Sequence, residues 1–188
     1  IMPCELIFLN GHHLKECIRQ YIELWKDDMG ADYEGFKEWF EKYNYVCATL
    51  VDRIVPGFPR KEIAEIQEKV GYGDNLVVQA EIFHLWVIEK AENMTCDELR
   101  AEFPAEKAGL NVLIAESEAP YHERKVTLLN GPHTVLSPVA YLSGINIVRD
   151  ALHDEVVGKY IKKVQYDELM QTLNLPMEEL QQFAADVL

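Results

Sequence analysis

The stretch "KVTLLNGPHTVL", residues 125–136, admits two folds. Asn130-Gly131-Pro132 between apolar runs is ordinary loop punctuation. The same letters can instead continue one helix, in which Pro132 removes the hydrogen bond to the Leu128 carbonyl and bends the axis. On an unbroken helix advancing about 100° per residue, with Lys125 at zero, His133 falls at about 80° and Asn130 at about 140°. All three can then look onto one cleft, with Val126 and Leu129 anchoring the other side. The choice separates a catalytic trio from a solvated lysine followed by a turn.

Upstream, apolar residues at Leu14, Cys17, Ile18, Tyr21, Ile22 and Trp25 have the spacing of an amphipathic helix, with Asn10 as its N-cap. A shorter helix carries Tyr33, Phe36, Phe40 and Tyr43. "YVCATLVDRIV" is a β-branched run closed by "PGFP" and predicts a strand. "RKEIAEIQEKV" returns to helix, "GYGDN" turns the chain, and "LVVQAEIFHLWVIE" predicts one bent strand or two. Thr95 followed by Glu98 is a capping-box signature, and "LNVLIAES" predicts a third strand. From Pro120 onward, breaks at Gly144, Asp154 and Pro176 separate helices only. No repeat or linker divides the chain. The expected fold is therefore a single domain over 1–188, mostly α, with a small antiparallel element of about three strands and an all-helical C-terminal part.

Composition narrows the partners. With 18 Lys and Arg against 32 Asp and Glu, the formal charge of −14 disfavours a phosphate-binding stripe, so no nucleic acid is expected. No apolar run reaches the ~20 residues that span a bilayer, and "IMPCELIFLNG" lacks the basic flank and cleavage site of a signal peptide. Cys4, Cys17, Cys47 and Cys96 are scattered, which suits reduced thiols in the cytoplasm. An opening of Ile-Met-Pro-Cys suggests a piece of something longer.

Other candidate sites have plainer readings. Gly71 and Gly73 begin like a dinucleotide fingerprint, but Leu76 stands where the third glycine belongs and a helix precedes them, so a turn suffices. His12, His13 and Cys17 fall within a helical turn or so, yet two ligands at i, i+4 have no partner cluster elsewhere, and no metal is expected. Asp52 and Arg53 sit side by side in an apolar strand, where alternation turns one of them inward. A buried carboxylate needs partners, and Glu81 poses the same question.

Lys125, Asn130 and His133 also carry a resemblance. "KVTLLNGPH" resembles the K-x4-N-x2-H signature of the mannitol dehydrogenase family, the polyol-specific long-chain dehydrogenases. "CELIFLNG" resembles that family's C-E-N-L-x-x-N-G, "TLVDRIVPG" its M-V-D-R-I-T-P, and "EIFHLWVIE" its E-x-F-x-x-W-V-I-E. The blocks run in order from residue 4 to about 145. The wording is most similar to the hexuronate branch, as in "PCELI" and "PYHERKVTLLNGPHTVL". His122 stands where mannitol dehydrogenases often have Glu, so a relay through Glu is not carried over, although Glu123 is adjacent.

The resemblance implies an N-terminal Rossmann domain that binds NAD and a helical substrate domain, with the site between them. The chain lacks G-x-G-x-x-G and ends before the family's R-F-x-N-P-x-x-x-H block, so it is expected to be a substrate-domain fragment that begins at the junction, with no complete Rossmann domain. The implied reaction is reversible hydride transfer between a sugar-acid alcohol and nicotinamide, with a uronate or, in a sibling enzyme, a polyol as substrate. Lys125 is implied as general acid/base, with Asn130 and a His133 ring N–H donating to the reacting oxygen. A lysine takes up such a proton only where burial or a cation weakens its hold on its own, and Arg124 and Arg53 are the candidate cations. Asn10 and Asp52 are implied to line the substrate pocket. Arg53 stands second to the absent downstream arginine as the clamp for a carboxylate.

Overall fold

The computed structural model describes residues 1–187, and these divide into two compact units, Ile1–Glu116 and Ser117–Leu188. The sequence has no composition break at that point, because a boundary can fall between two well-packed segments without any Gly- or Pro-rich linker.

The first unit opens with α1 (Asn10–Leu24), followed by the short α2 (Lys26–Met29) and by α3 (Tyr33–Tyr43). Their apolar faces meet in a cluster of Ile22, Tyr33, Phe40 and Val46. Asn10 does not cap α1. Leu9 holds the cap position in the left-handed region at φ 55°, without a side-chain cap, and the Asn10 side chain turns toward the sheet instead.

That sheet contains β1 (Ala48–Asp52), β2 (Leu85–Glu89) and β3 (Val112–Ala115) in the order β1-β2-β3. β1 runs antiparallel to β2, with Leu50 opposite Val87, whereas β2 and β3 are parallel, with Ile88 opposite Ile114. The sheet is thus mixed and corrects the antiparallel expectation. A parallel neighbour requires a crossover, which is supplied here by α5 (Cys96–Glu102) and a 3-10 turn at Ala105–Ala108. Local sequence predicted the strands but held no information about their direction.

α5 begins with the expected capping box. Thr95 Oγ1 accepts the Glu98 N–H at 3.2 Å, while Glu98 Oε2 accepts the Thr95 N–H at 2.8 Å. α4 (Ile63–Val70) ends at Gly71, whose φ of 80° is the left-handed conformation that closes many helices. Of "LVVQAEIFHLWVIE", only Leu85–Glu89 pairs as a strand, and an isolated bridge joins Gly57 to Gln79. The core beneath the sheet consists of Cys47, Ile88, Ala91, Leu99, Val112 and Ile114.

The second unit is built of helical segments: α6 (Ala119–Lys125), α7 (Gly131–Leu142), α8 (Val148–His153), α9 (Glu155–Lys163) and α10 (Met177–Val187). Single π turns follow α6 and α9, at Val126–Asn130 and Val164–Leu169. Asp154 caps α9 by accepting the N–H groups of Val156 and Val157, each at 2.9 Å. Leu136, Ala140, Ala151, Val157 and Ile161 form the core of this unit.

Candidate functional site

Helical backbone runs through residues 119–142 without a loop. Asn130 (φ −73°, ψ −37°) and Gly131 (φ −54°, ψ −54°) both lie in the right-handed helical region, so Asn-Gly-Pro is helix interior. Between α6 and α7 the chain makes one π turn, and the Gly131 N–H reaches back five residues to the Val126 carbonyl. Pro132 tolerates this placement because a widened turn loosens the ladder where its ring needs room.

The turn changes which side chains share a face. It holds about one residue more than an α turn, so everything beyond it falls back by roughly 100° relative to an unbroken helix. His133 moves from about 80° to about −20°, and Asn130, inside the turn, moves part of the way toward Lys125. The trio narrows from a broad fan to a stripe. The buried side agrees: Arg124, Leu128, Pro132, Leu136 and Ala140 recur every four residues and are all buried. On a regular helix that spacing drifts about 40° per step, and the π turn absorbs most of the drift.

On the open side Lys125 is half-buried, while Asn130 and His133 are exposed. The Asn130 side-chain amide makes no hydrogen bond to any described residue, which leaves both its donor and its acceptor available. His133 Nδ1 lies 2.8 Å from the Leu129 carbonyl oxygen. A carbonyl can only accept, so Nδ1 carries the hydrogen, and in the neutral ring Nε2 presents a lone pair. The sequence reading had a His133 N–H donating to the reacting oxygen. In this geometry that N–H is spent on Leu129.

Arg124 points to the buried side. Its guanidinium carbon stands 4.5 Å from the Phe183 ring centroid and 5.2 Å from that of Tyr121. Burial pushes its ionisation below the ordinary arginine value, an effect opposed by the charges of Glu179 and Tyr121.

Sequence reasoning missed Gln165. Its side chain is wholly buried, and Nε2 donates to the Leu128 carbonyl at 2.9 Å. Its signal was a polar residue four positions after the core residue Ile161, on the apolar face of its helix. The same helix presses on the π turn at a second point, where Leu169 Cδ1 would stand 3.2 Å from a β carbon on Gly131.

The other three candidates lie in the first unit. Asn10 is 3 % exposed. Its Oδ1 accepts the Thr49 N–H at 2.8 Å, while Nδ2 donates to the carbonyls of Thr49, Pro3 and Glu5 at 3.0–3.1 Å. Thr49 Oγ1 donates in turn to the Pro3 carbonyl. The amide therefore ties the N-terminal segment to β1 and offers no open position to a substrate. Gly11 serves the same docking, since a β carbon there would lie 2.1 Å from the Cys47 carbonyl oxygen. Asp52, half-buried, ends β1 opposite Leu85. Arg53 is exposed, and its Nε donates to the Glu81 carbonyl at 2.9 Å. Glu81 Oε1 accepts the Ile54 N–H at 2.6 Å, which answers the question that this carboxylate posed.

His12 Nε2 meets Glu89 Oε1 at 2.6 Å, while Cys17 is exposed. The described residues hold no group of three or more His, Cys, Asp or Glu able to bind a metal ion. No helix among them is long and apolar enough to cross a membrane.

Comparison with known proteins follows the division of the chain. Residues 1–101 match the model of the mannitol dehydrogenase Rossmann domain, and residues 119–188 match that of the mannitol dehydrogenase C-terminal domain. The chain belongs to the mannitol dehydrogenase family. Among curated members, altronate oxidoreductases of Phocaeicola vulgatus and Bacteroides thetaiotaomicron are 72 % and 71 % identical over all 188 residues. That of Escherichia coli strain 536 is 42 % identical over 187 residues. The chain spans 37 % of the length of each of these relatives. Two solved structures share the fold. A D-sorbitol dehydrogenase in substrate-free form aligns over 99 % of this chain and 36 % of its own, with a TM-score of 0.78 at 24 % identity. The Pseudomonas fluorescens mannitol 2-dehydrogenase, a ternary complex with NAD and D-mannitol, aligns over 98 % and 35 %, with a TM-score of 0.61 at 22 % identity.

The match over 1–101 corrects the expected fold class, that of a chain with no complete Rossmann domain. That expectation used the glycine fingerprint as the mark of the domain. The family's Rossmann domain extends well beyond any such loop, to include α1, the antiparallel pair β1 and β2 and most of α5.

Proposed function

We propose that this chain works within a longer polypeptide as part of an NAD-dependent hexuronate oxidoreductase that interconverts D-tagaturonate and D-altronate. The observation that supports the reading is the π turn after α6, which by helical geometry turns Lys125, Asn130 and His133 toward one face, with the His133 Nδ1 hydrogen held by Leu129. The names of the relatives supply the substrate class.

In the reductive direction the substrate is a ketone, and negative charge gathers on its oxygen as the carbon is reduced. The Lys125 ammonium gives that oxygen a proton and is left as a neutral amine. In the oxidative direction the amine takes the hydroxyl proton back. The Asn130 amide donates to the same oxygen and stabilises the developing charge. His133 Nε2 accepts a hydrogen bond from a neighbouring sugar hydroxyl and so orients the chain of the substrate.

NAD is the redox partner of this reaction class. The residues present do not fit its pyrophosphate: Gly71 closes α4 and Gly73 follows in the turn, neither opening a helix after a strand, and no other glycine-rich cradle exists in the sequence. No residue here is assigned to the cofactor.

The test is an assay of the full-length polypeptide with NADH and tagaturonate, fructuronate or fructose, beside its Lys125→Met variant. Preference for tagaturonate and loss of turnover in the variant support the reading. Preference for fructuronate or fructose moves the substrate to a sibling enzyme, and absence of turnover on both uronates rejects the hexuronate assignment. Unchanged turnover in the variant reduces the trio to a surface of a non-catalytic helical domain.

A further inference from the structure

We propose that Gln165 is a positioning residue for the Lys125–Asn130–His133 stripe, acting through the π turn and touching none of the three. The inference rests on the reading above.

The α-helical donor for the Leu128 carbonyl would be the N–H of residue 132, and proline has none. Leu128 is completely buried, so water does not replace that donor, and a buried polar group left without its partner costs about 1–3 kcal/mol. Gln165 supplies the replacement from another helix at 2.9 Å. The bond ties the π turn at Val126–Asn130 to the π turn at Val164–Leu169. Leu169, four residues on, packs against Gly131 at the far end of the first turn. The widened turn is thus held from outside at its middle and at its far end.

Gln165 is poorly suited to a purely structural post. Its Oε1 is buried and has no hydrogen-bond partner among the described residues, so the residue brings one satisfied group and one unsatisfied group into the core. An apolar side chain of similar size would remove the unpaired Oε1 and strand the Leu128 carbonyl in its place, one buried orphan exchanged for another, with little net change in stability. What it would not do is hold the Leu128 carbonyl. Released, residues 126–130 lose the outside hold on the widened turn, and each step of tightening turns His133 away from Lys125, by roughly 100° for a full α-helical turn. Displacements far smaller than that cost about 100-fold in rate when they spoil a reacting geometry.

The test uses the full-length enzyme and two variants, with Lys125→Met measured in parallel. For Gln165→Leu, kcat should fall about 100-fold, while the melting temperature stays close to that of the parent. Gln165→Glu adds a readout that a packing role does not give. Its carboxyl can donate to the Leu128 carbonyl only when protonated, so kcat should recover at low pH and fall as pH rises, with a limb absent from the parent profile. A parental kcat in Gln165→Leu, or a parental pH profile in Gln165→Glu, overturns the inference. If Gln165→Leu fails to fold, the pH profile of Gln165→Glu decides. If Lys125→Met keeps full turnover, the catalytic reading itself has failed. If that variant is inactive while both Gln165 variants behave like the parent, only the role of Gln165 has.

Discussion

The carbonyl oxygen of Cys47 lies so close beneath Gly11 that a β carbon at that position would stand 2.1 Å from it. Contact with backbone leaves nothing flexible to yield, so α1 must move off β1 if the residue grows.

Gly11→Ala should therefore destabilise the first unit by at least about 1–3 kcal/mol, the usual cost of overpacking. Asn10→Ala, which strands the Thr49 N–H and neighbouring carbonyls, should cost about as much through buried unsatisfied groups. Urea denaturation of both variants measures this. If Asn10→Ala kept its stability and lost substrate affinity, Asn10 would belong to the pocket after all.

His133→Asn separates the two jobs of the imidazole. The asparagine amide can still donate toward Leu129 but is too short to present an acceptor where Nε2 stands. Thermal stability should hold, while kcat/KM in the full-length enzyme falls by about 10- to 100-fold, a loss of about 1.4–2.8 kcal/mol. Steady-state kinetics against the parent reads this, and a parental kcat/KM would remove His133 from the site.

Acid should attack the first unit. Glu41, hydrogen-bonded by Arg19, and Glu92, hydrogen-bonded by Lys15, both hold their protons less tightly than the ordinary glutamate value of 4.5. Their folded values lie below the unfolded one, so the stability they contribute is complete above pH 4.5 and is lost as pH falls below it. Circular dichroism across that range should show the loss, and Lys15→Met should flatten the part due to Glu92. Both carboxylates are well exposed, so added salt should weaken the effect.

The 188-residue chain by itself should not oxidise NADH with any uronate, because its glycines form no pyrophosphate cradle. Spectrophotometric turnover by the purified chain would show that the cofactor is held by other means.

Local chemistry was readable in the sequence wherever neighbours along the chain settle the outcome. The Thr95–Glu98 capping box, the stop at Gly71 and the Asp154 break that became the cap of α9 are all of this kind. The direction of β3 was not readable, because strand polarity depends on how a distant segment returns. The extent of the Rossmann domain was misjudged because one loop motif stood in for the whole domain. At the candidate site, residue types pointed to Lys125, Asn130 and His133, but a fixed 100° step put them too far apart, since helical width is not written in any single residue. Asn10 was read as a pocket residue because its role lies 39 residues away, at Thr49. Gln165 passed unnoticed for the same reason, its partner being 37 residues upstream.

A helix that carries one supernumerary residue turns chain length into a variable of chemistry. Deleting a single position between Lys125 and Asn130 would restore the regular ladder without altering a reactive group, yet would aim the imidazole at a different quarter of space. The eight-residue interval from Lys125 to His133 is close to two turns only because one of those turns is oversized. Insertions and deletions in this interval, more than substitutions, should mark where related polypeptides have exchanged one reaction geometry for another.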